Sequence, residues 1–266
     1  LGILKALAGS SWGQDKETMI TTYKTICRST LEYGNQIWSP IIEESNWLKL
    51  QRVQSKALRI ATGCLQMTSD SHLHQESKVL PVKDHCMMLG KQYVAACHQP
   101  GHPGQKNLYN LAGRNMKSSV MHNSNYITSL FADPTEIDSK SYKSVLKEIH
   151  TTSVSDTIQS YPANRVLGRS PLSISKEENR LPRATRTELS RLRSGFSRNL
   201  NSYMNRIDET VDDRCPSCRH SPHDTAHLFN CSSNPTQLNV TDLWKKPVET
   251  AIFLGLDVRT SDDDPP

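Results

Sequence analysis

Four residues of metal-ligand type constrain the fold of this sequence more than any other feature. They follow the spacing C-x2-C-x8-H-x3-C and are Cys215, Cys218, His227 and Cys231. Structural zinc sites use four Cys or His ligands in a tetrahedron. Two cysteines this close can face one ion from a tight turn, and a histidine and a cysteine four residues apart share a helix face. The spacing predicts a structural Zn²⁺ site, and four protein ligands argue against catalysis, which needs an open coordination position.

Other assignments of these residues remain open. His220 and His223 lie inside the loop and compete for the histidine position, and the four residues could also carry no metal. His74 and Glu76, taken with the first two cysteines, superficially resemble the signature of zinc deaminases. However, Arg214 stands where that signature has proline, and the two halves are too far apart for one compact deaminase core. A capping or packing cluster at a helix start is the simpler interpretation of the residues around His74.

The composition indicates helical parts joined by polar segments rather than one large α/β enzyme core. Hydrophobic residues make up only 35% of the 266 residues, which is below the usual proportion. The seven cysteines cannot all pair internally, and intracellular chemistry fits them better than secretion. No apolar run approaches the length of a membrane span, and the first residues do not resemble a signal peptide. We therefore expect a protein of the nucleus and cytoplasm, with no membrane partner.

The distribution of charge points to nucleic acid as a partner. The net charge of +5 is unevenly distributed along the chain. Over 165–206, basic residues outnumber acidic ones ten to three, and an acidic segment follows. Arginine favours bidentate contacts with phosphate. The candidate nucleic-acid contacts are Arg183, Arg186, Arg191, Arg193 and Arg198, with Lys49, Arg52, Lys56 and Arg59 on a second helix face. Phe196, Phe229 and Trp244 could stack on bases; alternatively, the basic faces are merely solvated, and Phe196 and Trp244 belong to the core.

Hydrophobic periodicity predicts a mainly α fold in four parts. Residues 1–98 form a small helical bundle, and residues 99–182 form a loosely ordered connector. Residues 183–250 combine a basic amphipathic helix with the small C-terminal zinc knuckle. Residues 251–266 are an acidic, disordered tail.

Individual helices are expected at five places. In the bundle they cover about 15–33 and 45–62, with Asp15 as an N-cap and Gly63 as the residue that ends the second helix; a third begins after Pro81. The connector contains one helix over about 141–160, and the basic helix extends over about 185–207.

The sequence contains no recognisable catalytic centre. Polymerase and nuclease chemistry needs clustered carboxylates that hold two metal ions. The aspartate runs at 212–213 and 262–264 lie in polar segments, without the apolar strand-turn setting that such a centre needs. The sequence also has no phosphate-binding loop and no nucleophile elbow.

Several segments together carry a specific family resemblance. They are LKALAG at 4–9, SWG at 11–13, LQRVQSKALRIATG at 50–63, LHQE at 73–76, LPV at 80–82, NRVLG at 164–168, LRSG at 192–195, LNSY at 200–203, PHDTAHLFNC at 222–231 and DLW at 242–244. This set resembles the region downstream of the catalytic core in reverse transcriptases of jockey-type non-long-terminal-repeat retrotransposons. The resemblance covers nearly the whole chain and is weakest at 105–140.

The resemblance implies a C-terminal fragment of an RNA-directed DNA polymerase. Residues 1–98 would be its thumb, followed by the connector and the zinc knuckle, whereas the fingers and palm are missing. The palm motif with paired aspartates has no matching positions, so the fragment alone is expected to be inactive. The first residue, Leu1, fits a fragment of a longer reading frame. The implied partners are element RNA and the template–primer duplex, in a ribonucleoprotein particle. The alternative is a zinc-stabilised protein-interaction module derived from a transposable element.

Overall fold

The structure, a computed structural model, describes residues 1–9, 13–39, 42–97, 99, 101–104, 142–164, 166–168 and 175–258. Within these ranges the chain is mostly helical and has no strand, only isolated bridges that pair Asn164 with Gly168 and Arg214 with Pro222. The mainly α fold is therefore confirmed. Most of the predicted connector and the last eight residues lie outside the described residues.

Two units make up the chain, and neither is continuous in sequence. The first unit contains Leu1–Thr25, Ser55–Lys78 and Tyr161–Pro266, and the second contains Ile26–Gln54 and Val79–Ser160. These boundaries differ from the sequential division into 1–98, 99–182 and 183–250, because residues 1–98 contribute to both units. The assignment of residues 1–98 to a thumb stays a prediction.

The first unit contains most of the short helices. They are α1 (Gly2–Leu7), α2 (Lys16–Thr22), the end of α5 (Glu44–Thr62), α6 (Asp70–Ser77), a 3₁₀ turn (Lys176–Arg180), α9 (Arg183–Ser194), α10 (Asn201–Ile207), α11 (Thr225–Asn230), α12 (Asp242–Lys245) and α13 (Pro247–Phe253). Its core collects leucines and aromatic residues from α9 to α13, with Leu189, Leu200 and Leu243 fully buried. This core supports the segment that carries the Cys/His motif.

The second unit is built on three longer helical segments. They are the first part of α5, α7 (Val82–Cys97) and α8 (Tyr142–Ser160), with α3 (Ser29–Leu31) and α4 (Asn35–Trp38) beside them. The Gln92 side chain on α7 donates to the Leu146 carbonyl on α8 at 3.1 Å. Trp47, Val82 and Cys86 form its buried cluster.

Local signals placed several helices correctly. Asp15 caps α2, because its side chain accepts the backbone N–H of Thr18 at 2.9 Å. The segment predicted as one helix over 15–33 is helical from Lys16 to Leu31. Its middle part, Tyr23–Arg28, is a π-helix. Gly63 follows α5 with φ of 73°, and a Cβ there would collide with the Thr187 side chain. Glycine is thus required at position 63 both by the backbone and by the close neighbour.

The predicted single helix over 185–207 is wrong. It is two helices, α9 and α10, because Gly195 adopts a left-handed conformation at φ of 72° and ends α9. The sequence pattern continued across the break, since Leu189, Leu200 and Tyr203 all face the same core. Hydrophobic spacing alone did not register the change of direction.

The C-terminal boundary also needs correction. Ala251 belongs to α13 and is fully buried, and Leu254, Leu256 and Val258 pack against the same core. Residues 251–258 therefore belong to the packed part of the unit and not to a tail, and the rest of the predicted tail lies outside the described residues. No helix in the described residues is long and apolar enough to cross a membrane.

Candidate metal centre

A tight turn positions the first two cysteines. The backbone N–H of Arg219 donates to the Cys215 carbonyl at 2.9 Å, and the N–H of Cys215 donates to the Ser221 carbonyl at 2.9 Å. Arg219 has a positive φ of 58°, which reverses the chain just after Cys218. The turn brings the two thiols of a C-x2-C pair to one side, as the sequence predicted.

A short helix positions the other two ligands. Asp224 caps α11 by accepting the backbone N–H of His227 at 2.8 Å. His227 lies in this helix, and Cys231 follows directly after its last residue. Four-residue spacing on a helix places both side chains on one face, so the capped helix presents them together to the turn.

The ligand atoms of Cys215, Cys218, His227 and Cys231, here called the Cys/His cluster, all lie within 4.8 Å of one another. The Sγ atoms of Cys215 and Cys231 are 3.8 Å apart, and Cys218 Sγ is 3.2 Å from His227 Nε2. Thiolates on a tetrahedral zinc with Zn–S bonds of about 2.3 Å would be about 3.8 Å apart. The cluster could therefore hold a metal ion, and its donors and spacing are compatible with Zn²⁺.

The two competing histidines do not join this cluster. His223 Nδ1 lies 3.2 Å from the backbone N–H of Asn201, which donates to it. His220 is exposed on the loop. Of the histidines in this segment, His227 is thus the one whose ring reaches the cysteines.

The electrostatics of the cluster favour a cation. Burial opposes ionisation of Cys215, but the backbone N–H groups of Cys218 and Ser217 outweigh it and lower the pKa of that thiol to about 6. Burial, together with the other two thiols, raises the pKa of Cys231. The Cys215 thiolate therefore forms readily, whereas ionisation of Cys231 is disfavoured, and a bound metal ion would favour it.

The surrounding core anchors the metal-ligand segment. Phe229 in α11 is buried, and its ring packs at 5.8 Å between centroids against Phe253 of α13. Thr225 donates its hydroxyl to the Leu192 carbonyl of α9 at 2.9 Å. Phe229 and Trp244 are core residues, so the idea that these two rings stack on bases is wrong.

A second group of charged residues is buried in the same unit. Lys16, Glu76, Glu178 and Arg193, here called the ion cluster, have almost no exposed side-chain surface. Lys16 Nζ lies 2.9 Å from Glu76 and 2.7 Å from Glu178, and Arg193 Nη1 lies 2.8 Å from Glu76. Arg193 also pairs with Glu178 and donates to the Leu243 carbonyl at 2.7 Å. Two cations and two anions thus neutralise one another without solvent.

This cluster corrects the sequence interpretation of Arg193. Its guanidinium is fully buried and lies 4.5 Å from the centroid of the Trp244 ring. It is therefore not available to a nucleic acid, although its sequence neighbours suggested a basic face. Arg186 is also buried, with its Nη1 4.0 Å from Asp15. No local pattern marked these positions, because their partners are distant in sequence.

The remaining candidate contacts differ in exposure. Lys49, Arg52, Lys56 and Arg198 are exposed, whereas Arg59, Arg183 and Arg191 are partly buried. The first three follow one another along α5 at three- and four-residue spacing. Contact of these seven residues with nucleic acid stays a prediction.

Comparison with known proteins gives one partial relative. A probable RNA-directed DNA polymerase from transposon X-element of Drosophila melanogaster is 31% identical over 74 residues. The aligned part covers 28% of this chain and only 8% of the length of that protein. No protein-family model and no solved structure matches the chain. The chain is thus similar, over part of its length, to a transposon RNA-directed DNA polymerase.

Proposed function

We propose that this chain is the C-terminal, nucleic-acid-binding part of a non-long-terminal-repeat retrotransposon RNA-directed DNA polymerase of the jockey type. Its zinc knuckle and exposed basic residues would hold element RNA or the template–primer duplex. The catalytic fingers and palm would be supplied by another part of the polymerase. Such a chain would work in a ribonucleoprotein particle of the nucleus and cytoplasm.

The convergence of Cys215, Cys218, His227 and Cys231 carries this proposal. The partial relative adds support, because it is a transposon RNA-directed DNA polymerase. A zinc ion held by these four residues would be structural, since protein atoms would fill all four positions of its tetrahedron. Its role would be to stabilise the turn and α11 on the core.

The exposed cations of α5 are the best candidates for phosphate contacts. Lys49, Arg52 and Lys56 are all exposed. Side chains three and four residues apart share a helix face and can follow the phosphates of one strand. Counterion release then makes affinity fall steeply as salt concentration rises.

The test is a titration of labelled single-stranded RNA with the full chain at two salt concentrations. We expect salt-dependent binding, and we expect the triple variant Lys49→Gln, Arg52→Gln, Lys56→Gln to lower the salt slope by about one for each lost phosphate contact. A matched control removes three other exposed lysines, with the substitutions Lys143→Gln, Lys147→Gln and Lys245→Gln.

Zinc content of the same preparations, measured by mass spectrometry, separates the outcomes. One zinc per chain with salt-dependent binding supports the proposal. One zinc without RNA or DNA binding at low salt overturns it and favours a zinc-stabilised protein-interaction module. Equal loss of affinity in the triple variant and its control would move the contacts away from α5.

A further inference from the structure

A recess in the first unit brings together four cationic side chains from separate segments. Its volume is about 280 Å³, and Lys5, Arg59, Arg183 and Arg191 line it together with Gly9 and Thr187. Lys5 comes from α1, Arg59 from α5, and the other two arginines from α9. We call this site the basic recess.

Two of these arginines also complete the end of a helix. Arg183 donates to the carbonyls of Gly9 at 3.1 Å and Ile60 at 3.2 Å, and also to that of Gln14. Arg191 Nε donates to the Gly63 carbonyl at 2.9 Å. Carbonyls at a helix C-terminus need such donors, so capping explains the positions of Arg183 and Arg191.

Capping does not explain the other two cations. Lys5 is exposed at the rim, and Arg59 uses its Nη2 for the Thr68 carbonyl at 2.9 Å and for Asp70 at 3.2 Å. Arg59 Nε is buried and has no hydrogen-bond partner among the described residues. A buried donor without an acceptor is costly, and an anion would satisfy it.

The charge balance of the recess is positive. Three carboxylates act on its cations: Asp70, paired with Arg59; Glu188, with Oε2 3.7 Å from Arg191 Nη1; and Asp15, whose charge raises the pKa of Arg183. The four lining cations and Arg186 thus face three anions among the described residues. Burial, and then the nearby charge of Arg186, lowers the pKa of Arg183, and a bound anion would relieve this repulsion.

From this geometry we infer that the basic recess binds a single phosphate group of a nucleic-acid backbone. Arginine and lysine side chains bind phosphate through charge and hydrogen bonds, whereas an apolar or cationic ligand would not match them. This inference rests on the proposed function, and it adds a specific phosphate site that is separate from the exposed face of α5.

Lys5→Glu is the cleanest variant for testing the inference, because this side chain is exposed and, within the described part of the chain, donates to no carbonyl. Lys245→Glu is the matched control, since it also reverses one exposed lysine and lies away from the recess. We expect Lys5→Glu to weaken binding of labelled single-stranded RNA about tenfold and to lower the salt slope by about one. In Lys245→Glu, the RNA affinity and the salt slope should both stay within about twofold of the values for the unchanged chain.

A second measurement reads the site directly. Inorganic phosphate, titrated into the ¹⁵N-labelled chain, should shift the Nε–Hε resonances of Arg59 and Arg191 in the unchanged chain, and Lys5→Glu should weaken these shifts. RNA binding by the unchanged chain with equal affinities for the two variants would overturn the inference and leave the proposed function standing. Absence of RNA binding in all three chains would overturn the proposed function itself. Phosphate shifts spread evenly over exposed arginines, including Arg198, would also overturn the recess as a site.

Discussion

The ion cluster and the Cys/His cluster lie in the same unit. The ion cluster is buried throughout, whereas Cys218 and His227 of the Cys/His cluster are only half-buried. Lys16, Glu76, Glu178 and Arg193 balance two positive charges against two negative ones. Among the described residues, the Cys/His cluster has no buried cation of this kind. Burial and the neighbouring thiols raise the pKa of Cys231, and a bound metal ion would favour its ionisation. A buried polar group is thus stable either because the fold supplies its counter-charges or because a ligand does.

This difference also separates two kinds of arginine. Arg193 is held by carboxylates and by Trp244 inside the unit, whereas Arg198, five residues later, is exposed. The two residues look alike in a charge count. Only the exposed one can meet a phosphate, so a basic stretch overstates the basic surface.

Removal of the metal should have the largest effect. Cys218→Ser takes away a ligand that contributes to a binding free energy on the order of 10 kcal/mol in small zinc domains. We expect loss of bound zinc, measured by mass spectrometry, and loss of amide-exchange protection mainly over 207–245. Amides of α6, which carries Glu76, should stay protected, because the ion cluster does not depend on the metal. Cys27→Ser is the control, since this thiol lies outside the Cys/His cluster; retention of zinc and protection in Cys218→Ser would contradict the expected ligand role.

Removal of one cation from the ion cluster should come next. Arg193→Met leaves Glu76 and Glu178 buried with only Lys16, and loss of one partner from a buried pair costs about 3–5 kcal/mol. Urea unfolding, followed by tryptophan fluorescence, should show a decrease of this size in the free energy of unfolding. Arg198→Met is the matched control and should change stability by less than about 0.5 kcal/mol. A similar small loss for Arg193→Met would mean that the buried ion pairs contribute little.

Acid should weaken the ion cluster by a smaller amount. Burial works against ionisation of Glu76 and Glu178, but Arg193 and then Lys16 outweigh it and hold the pKa of both carboxyls below the usual 4.5. Their contribution to stability is therefore complete above pH 4.5 and is lost as pH falls through the lowered values. The pKa of Lys16 is raised in spite of its burial, because Glu76 and Glu178 outweigh the burial, so its contribution is lost only as pH rises above 10.5.

Urea midpoints at pH 6, 4 and 3 measure this acid limb. We expect the urea midpoint to fall as the pH drops below 4.5. The fall should be smaller in Glu178→Gln, which is already less stable than the unchanged chain at pH 6. Glu249→Gln is the control, since its carboxylate is exposed and pairs with the exposed Lys246. Identical pH dependence in Glu178→Gln and the unchanged chain would show that another group controls acid unfolding.

Local features of the fold were predictable, because their causes lie within a few residues. The Asp15 cap, the end of α5 at Gly63 and the helix after Pro81 all depend on neighbours along the chain. The four metal-ligand residues lie within one short segment, so their spacing could indicate how they meet. By contrast, the break at Gly195 was missed, since the hydrophobic residues on both sides share one core.

The sequence by itself determined the helical character and the composition of the candidate metal site, because helix periodicity and ligand spacing are short-range properties. Only the tertiary structure decided which charges are buried. Lys16 reaches Glu178 across 162 residues, and Arg193 reaches Glu76 across 117. Such pairs form when separate segments fold onto one core, and burial then strengthens the attraction by excluding water. The same folding exposes Lys56 and Arg198 and encloses Arg193, which the order of residues alone does not specify.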